Sequence, residues 1–349
     1  MKLLCVAIAV LALAGCGAKE TTSAPASPAP AKPIGKPISI PVPKGLPPLP
    51  ASPDNPPTAE TIALGEKLFF SPLLSSDGTV TCASCHDPKA GFADPRQHSV
   101  GVGGKTGNRN APPAVNAAYN TTQFWDGRAA SLEEQALGPV ANPVEMAETL
   151  ENVEKKLNAD AGMRQMFQTA FGGPASKASI GRAIAAYERT LLRGNSPFDR
   201  YEYGGNKGAL SESAKRGLAI FRDAKKGNCA VCHTIEKDHA LFSDQKFHNI
   251  GVGVDAEGNL TDMGRYEVTK KEEDRGAFRT PTLRNIALTA PYMHDGSLPT
   301  LKEVVDFYVG GGTSNPHLDK EIKALSQLTK QDRADLIAFM ESLTGEPAK

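Results

Sequence analysis

Hydrophobic positions fall at helical spacing in four places along the chain, and the four places form two similar pairs. Ile62, Leu64, Leu68 and Phe69 line one segment, and Leu218, Ile220 and Phe221 line another; each contains a Gly-x-x-x-aromatic pattern, from Gly65 to Phe69 and from Gly217 to Phe221. Apolar residues at this spacing predict an amphipathic helix, and a glycine on the buried side lets a second helix cross close by. Two later stripes supply candidate partners. Ile180, Ile184, Tyr187 and Leu191 form one, and Leu336, Phe339, Met340 and Leu343 form the other, behind a Thr329 cap with Asp332 three residues on. The repetition predicts two mainly α-helical domains, placed at residues 58–204 and 205–346. The length of 349 residues agrees, since it exceeds what one hydrophobic core usually supports.

The first apolar run is of another kind. Lys2 precedes Leu3 to Leu13, a stretch too short to cross a bilayer as a stable helix, and the pattern is that of a secretory signal. It ends in Leu13-Ala14-Gly15-Cys16, which resembles a bacterial lipobox. Residues 1–16 are therefore expected to be a lipoprotein signal, with Cys16 lipidated, or a plain signal peptide cut nearby. Residues 21–57 hold thirteen of the 27 prolines. This composition predicts an extended tether over 17–57 that holds the body off a membrane in the periplasm.

Composition narrows the possible partners. Lys plus Arg and Asp plus Glu each number 39, so no charge excess points to nucleic acid or to an anionic bilayer. Mean hydropathy is -0.32, which suits a soluble body attached to the membrane only through its lipid.

The cysteines carry the chemistry. Cys5 lies in the signal and Cys16 at its end; the other four form Cys82-Ala83-Ser84-Cys85-His86 and Cys229-Ala230-Val231-Cys232-His233. In a C-x-x-C-H run two thiols attach a haem through thioether bonds and the adjacent His ligates its iron, so two covalently bound haem c groups are expected, on His86 and His233. A four-cysteine zinc site and a pair of thioredoxin-like motifs are the competing readings. The first would need pairs 147 residues apart to converge, and neither copy follows a βαβ pattern. A helix, a haem loop and a closing helix, occurring twice, describes two cytochrome c-like domains packed on each other.

The order of motifs resembles the bacterial di-haem cytochrome c peroxidase family, which includes MauG. The segments that carry the resemblance are the two haem motifs, Arg109 to Pro112, Gln123 to Arg128, Glu133 to Pro139, Pro143 to Met146, Thr280 to Asn285 and Thr289 to Gly296. The resemblance implies a peroxidase that takes electrons from a small periplasmic donor, a c-type cytochrome or a cupredoxin, at its C-terminal haem. Hydrogen peroxide would bind opposite His86 at the N-terminal haem. Glu145 matches the family's acid/base carboxylate, Gln135 its neutral neighbour, and Trp125 the indole between the haems. Asn110, with the carbonyls of Thr289 and Pro291, matches a calcium site, and homodimers are common in the family. Relatives also include enzymes that use peroxide to oxidise residues of a partner protein. A third reading is a di-haem electron carrier without enzymatic activity.

Two axial positions depart from the pattern of many members. The distal ligand they carry on the N-terminal haem would be His98 here, but the loop Ser99 to Asn108 is longer than that pattern expects, so His98 is expected at the surface. The sixth ligand of the C-terminal haem, usually Met, falls fourteen residues after His294 on Tyr308. This substitution resembles MauG; Met293 is the alternative ligand, and packing of Tyr308 away from the iron is the plainer reading. No role is assigned to His239, His248 or His317, although haem contacts would suit His248.

Overall fold

A computed structural model describes residues 32–347. The expected signal peptide, Cys16 and the start of the expected tether lie outside the described residues.

The four stripes form four of the principal helices, α1 (Ala59–Phe69), α6 (Lys177–Glu188), α8 (Glu212–Arg222) and α11 (Lys330–Glu341). Each begins at a hydroxyl cap, Thr58, Ser176, Ser211 or Thr329, whose side chain accepts from an otherwise unsatisfied N–H of the first turn. Leu191 and Leu343 lie just past the ends of α6 and α11, yet both are buried. Helix α1 packs on α6 and α8 on α11 by the same device. A Cβ added to Gly65 would run into the backbone carbonyl of Ala183, and one added to Gly217 would run into that of Asp335. The rings that follow close the crossings: Phe69 lies 5.3 Å from Tyr187, and Phe221 lies 5.0 Å from Phe339.

Each pair organises its own core. Leu64, Leu68, Phe167, Ile180 and Ile184 fill the first, and Phe198, Phe221, Phe242 and Phe339 fill the second. Between the paired helices of the first half run α2 (Leu132–Gln135), α3 (Gly138–Ala141), α4 (Leu150–Ala159) and α5 (Ala161–Phe171). The short α7 (Pro197–Glu202) leads into the second half, which adds α9 (Tyr266–Thr269) and α10 (Leu301–Gly310). The only sheet among the described residues is a two-stranded antiparallel pair, β1 (Phe247–His248) and β2 (Phe278–Arg279). No helix of the described residues is long and apolar enough to cross a membrane.

Two equivalent turns join the halves. The bridges Gln123 to Ala129 and Tyr292 to Leu298 enclose matching positive-φ residues, Phe124 and Gly127 in one, Met293 and Gly296 in the other. Each turn receives a main-chain hydrogen bond from the opposite half. Asn110 N–H donates to the His294 carbonyl at 2.7 Å, and Arg279 N–H donates to the Trp125 carbonyl at 2.8 Å. Arg109 adds a clamp across the same seam, pairing with Asp126 at 2.6 Å and with Asp262 at 2.7 Å.

The expected tether is corrected over its described part. Residues 32–57 are laid on the body: Leu46 is buried with Tyr119 and Leu192, Ile34 N–H donates to the Ala170 carbonyl, and Pro37 bridges to Thr58. The physical reason lies in the second half. The fully buried Arg284 forms a double ion pair with Asp199, 2.9 Å for each bond, and turns its remaining N–H groups to the carbonyls of Gly45 and Ala240. Gly45 has φ +87° and no room for a side chain against Asp199, so the proline-rich strand is fastened there.

Candidate active site

Each C-x-x-C-H run folds as one 3₁₀ turn followed by its histidine, Cys82–Ser84 before His86 and Cys229–Val231 before His233. The histidine N–H reaches back to the first cysteine's carbonyl, at 2.9 Å for His86 and 3.0 Å for His233. This places two thiols and an imidazole on one wall. The rings are oriented alike. His86 Nδ1 lies 3.2 Å from the Phe92 carbonyl, and His233 Nδ1 lies 2.8 Å from that of Phe242. A carbonyl only accepts, so Nδ1 carries the proton and Nε2 offers a lone pair for a metal. Burial pushes both imidazoles below the ordinary His value, which keeps them neutral. Phe92 and Phe242 hold positive φ, 58° and 53°, a strain repeated at the same step of each half.

Burial also pushes the Cys82 and Cys229 thiols up to about 12, and all four cysteines are unpaired. They do not converge as a zinc site requires. The one cluster of potential metal-ligating side chains among the described residues brings Cys232 together with Asp244 and His248.

Below His233 a cavity of about 550 Å³ opens, walled by Cys229, Cys232, Phe221, Leu283, Val305 and Met340. Apolar walls, two thiols and a free imidazole nitrogen fit a covalently attached haem. Tyr308, on α10, and Met293, on the turn, both line this cavity, so each expected axial candidate is inside it. Burial raises the Tyr308 phenol above its ordinary value. Trp125 belongs to the first half yet lines the same cavity; it is 8% exposed and its Nε1–H donates to the Asn110 carbonyl at 2.9 Å. Asn110, Thr289 and Pro291 lie along the same wall. The Asn110 amide nitrogen donates to the carbonyls of Arg96 and Gln97, which leaves its oxygen free.

Near the first haem motif, Glu145 stands on the turn after α3. Its Oε1 accepts from Asn142 Nδ2 at 2.6 Å, and burial pushes the carboxyl up against that hydrogen bond and the charge of Arg128. Glu145 is near enough to Cys82 and Cys85 for its charge to raise both thiols. Its backbone is pinned by the long loop: Val102 N–H donates to the Glu145 carbonyl at 2.8 Å, and Gly101 has no room for a Cβ against it. Gln135, the last residue of α2, is half-buried.

The expectation of a surface His98 is corrected. The residue is half-buried, and its Nε2 is enclosed with no hydrogen-bond partner. The long loop folds back onto the Pro143–Glu145 turn, with Lys105 Nζ donating to the Pro143 carbonyl at 3.2 Å, and so closes over that part of the surface. His248 stands beside the Cys232 sulfur and is held between Asp319 at 2.5 Å and Asp244 at 3.0 Å; the free Cys232 thiol first, and the two carboxylates after it, raise the imidazole to about 10.

Two buried ionisable groups escaped the sequence reading. Glu188, at the end of α6, is 6% exposed with Oε2 unpartnered, and burial pushes it up to about 8. Arg279 is 5% exposed, lines the same cavity and has no carboxylate partner among the described residues. No local pattern marks either one, because their burial comes from packing between segments far apart in sequence.

The repeated fold and the paired haem loops define a two-domain c-type cytochrome. Residues 59–207 match the family model for di-haem cytochrome c peroxidase, and residues 214–344 match that for cytochrome c. The chain is 40% identical over 315 residues to the methylamine utilization protein MauG of Methylorubrum extorquens, covering 90% of this chain and 84% of that protein. It is 39% identical over 289 residues to the cytochrome c551 peroxidase of Pseudomonas aeruginosa, covering 81% and 78%. Among solved structures, a MauG-like protein associated with microbial copper homeostasis superposes with a TM-score of 0.77 at 35% identity, over 87% of this chain and 95% of that one. The chain belongs to the di-haem cytochrome c peroxidase family. As a member it carries two haem c groups and is an oxidoreductase of the peroxidase type.

Proposed function

We propose that the chain reduces hydrogen peroxide to two waters at the haem on His86, using two protons and two electrons that enter through the haem on His233. Bound haem supplies the iron that receives peroxide and stores oxidising equivalents. The chain's own residues supply the rest. Glu145 would take a proton from one oxygen of peroxide and return it to the departing one, a role suited to a carboxyl whose affinity for protons lies above the ordinary value. The observation that carries this reading is the position of Glu145: half-buried, bonded to Asn142, raised by burial, and within electrostatic range of both attachment thiols of the first motif. Gln135 acts as the neutral distal neighbour of Glu145, and Trp125 carries electrons between the halves.

The domains are assigned as 58–204 for the peroxide site and 205–346 for electron entry. Asn110 with the carbonyls of Thr289 and Pro291 holds a calcium ion; a free amide oxygen and two carbonyls are hard ligands of the kind Ca²⁺ prefers. The donor is a small cytochrome c or cupredoxin, and the protein works in the periplasm, anchored through Cys16.

One observation favours a second reading, peroxide-dependent oxidation of a partner protein. Tyr308 shares the cavity of His233, and a phenolate ligand would favour higher iron oxidation states. Replacing Glu145 with Gln tests the main reading: turnover should vanish while both haem spectra persist, and normal turnover would end the assignment. Electron paramagnetic resonance of the resting protein followed by a stopped-flow peroxide titration separates both enzymatic readings from a simple carrier, which would show two six-coordinate irons inert to peroxide.

A further inference from the structure

Arg279 presents a charge that the protein itself does not balance. It lies on β2, 5% exposed, where β1 and β2 meet the seam between the halves. Its Nη1 donates to the Asn120 side-chain oxygen at 3.1 Å and to the Thr280 carbonyl at 3.3 Å, and its Nε is buried with no partner. No carboxylate of the described residues pairs with it. The contrast with Arg284, five residues on, is direct: that guanidinium is equally buried but pairs with Asp199 through two bonds. Burial lowers Arg279 only to about 10, so it remains protonated at neutral pH. An uncompensated buried cation is strongly unfavourable unless an anion arrives from outside the polypeptide.

The cavity gives an anion access to Arg279. Arg279 lines it together with Trp125, Asn110 and His233. The other cations of the wall are otherwise engaged: Lys226 pairs with Asp332, His248 is held by Asp244 and Asp319, and Lys225 and Lys323 stand exposed at the rim. His294, also on the wall, is pushed down to about 4 by burial and is neutral. A haem carries two propionates, and a planar guanidinium with a vacant N–H is suited to a carboxylate.

We infer that Arg279 is the counter-ion of a haem propionate at the C-terminal haem, on the cavity wall it shares with Trp125, and that it thereby sets the potential of that haem. The inference rests on the two-haem reading. By holding a positive charge beside the propionate, Arg279 favours the reduced iron and keeps the propionate ionised throughout the neutral range. Its main-chain N–H, donating to the Trp125 carbonyl, ties the same strand to the indole.

The test is a spectroelectrochemical titration of the parent protein, Arg279→Gln and Arg279→Lys between about pH 5 and pH 8, with haem counted by pyridine haemochrome. In Arg279→Gln the reduction equilibrium of the C-terminal haem should fall at least tenfold at pH 7, about 59 mV for one electron. Its potential should also become pH-dependent as the propionate titrates. Arg279→Lys should restore most of both properties, and the N-terminal haem should not change. Loss of the C-terminal haem from the Gln variant with retention in the Lys variant also supports the inference. An Arg279→Gln protein with two haems and an unaltered C-terminal potential and pH slope overturns it, as does loss of the C-terminal haem from both variants. A parent protein without two haems would instead defeat the two-haem reading, and this inference with it.

Discussion

Replacing Glu188 with Gln should make the protein more stable, by an amount that grows with pH. The carboxyl sits at the end of α6, 6% exposed, with Oε2 out of reach of any donor, and burial outweighs the opposing charge of Arg189 to push it from 4.5 up to about 8. The folded chain therefore keeps a proton that the unfolded chain releases. Below about pH 4.5 both states are protonated and the group has no effect on stability. As pH climbs towards 8 the unfolded state ionises freely while the folded state resists, so stability is lost through that window and levels off above it. At about 1.4 kcal/mol for each tenfold change in acidity, the full loss is on the order of 5 kcal/mol. Gln has nearly the same shape and never ionises, so the variant escapes the loss. The assay is urea unfolding of the holoprotein, parent and Glu188→Gln side by side, at pH 5 and pH 8. Other groups titrate in both proteins and cancel in the difference, which should be no more than about 1 kcal/mol at the lower pH and favour the variant by several kcal/mol at the higher. A difference independent of pH, or a variant less stable than its parent at pH 8, would refute the claim that Glu188 is a neutral acid in the folded protein.

Three further outcomes are expected. Asp199→Ala leaves the Arg284 guanidinium buried with carbonyl partners alone and should cost about 3 to 5 kcal/mol in denaturant unfolding; limited proteolysis should then cut within residues 32–57, and an unchanged digestion pattern would argue against the fastening at Gly45. Gly217→Ala places a methyl group against the Asp335 carbonyl and should destabilise by about 1 to 3 kcal/mol, whereas Gly103→Ala, with open space around it but φ +69°, should lose only about 1 kcal/mol; equal losses would contradict the close crossing. Trp125→Phe removes the Nε1–H donor from the Asn110 carbonyl, with an expected loss of about 1 to 3 kcal/mol, and should slow electron transfer between the haems in stopped-flow reduction; an unchanged rate would remove Trp125 from the path.

The parts of the molecule legible in the sequence are those whose signal is local. The Gly-x-x-x-aromatic helices, the Thr329 cap and the two C-x-x-C-H loops each declare themselves within about a dozen residues, because period and spacing are enough. The pairing of α1 with α6 and of α8 with α11 was also readable, through matched stripes and a glycine at each crossing. What escaped depends on neighbours distant in the chain. Proline content suggested a free strand from 17 to 57, but Arg284 and Asp199, far further along the chain, fasten its described part. His98 looks exposed until the loop after it folds back on the Pro143–Glu145 turn. Glu188 and Arg279 are ordinary charged residues until burial strips their solvent away.

The paired main-chain bonds across the seam, Asn110 to His294 and Arg279 to Trp125, bear on timing. Electron tunnelling falls off exponentially with separation, so a hinge that breathed between the lobes would make delivery of the second electron erratic. A half-reduced oxidant that waits too long attacks whatever is nearest. Latching each lobe to the other's turn by backbone, which no side-chain rotation can release, keeps the gap between the redox centres constant from one turnover to the next.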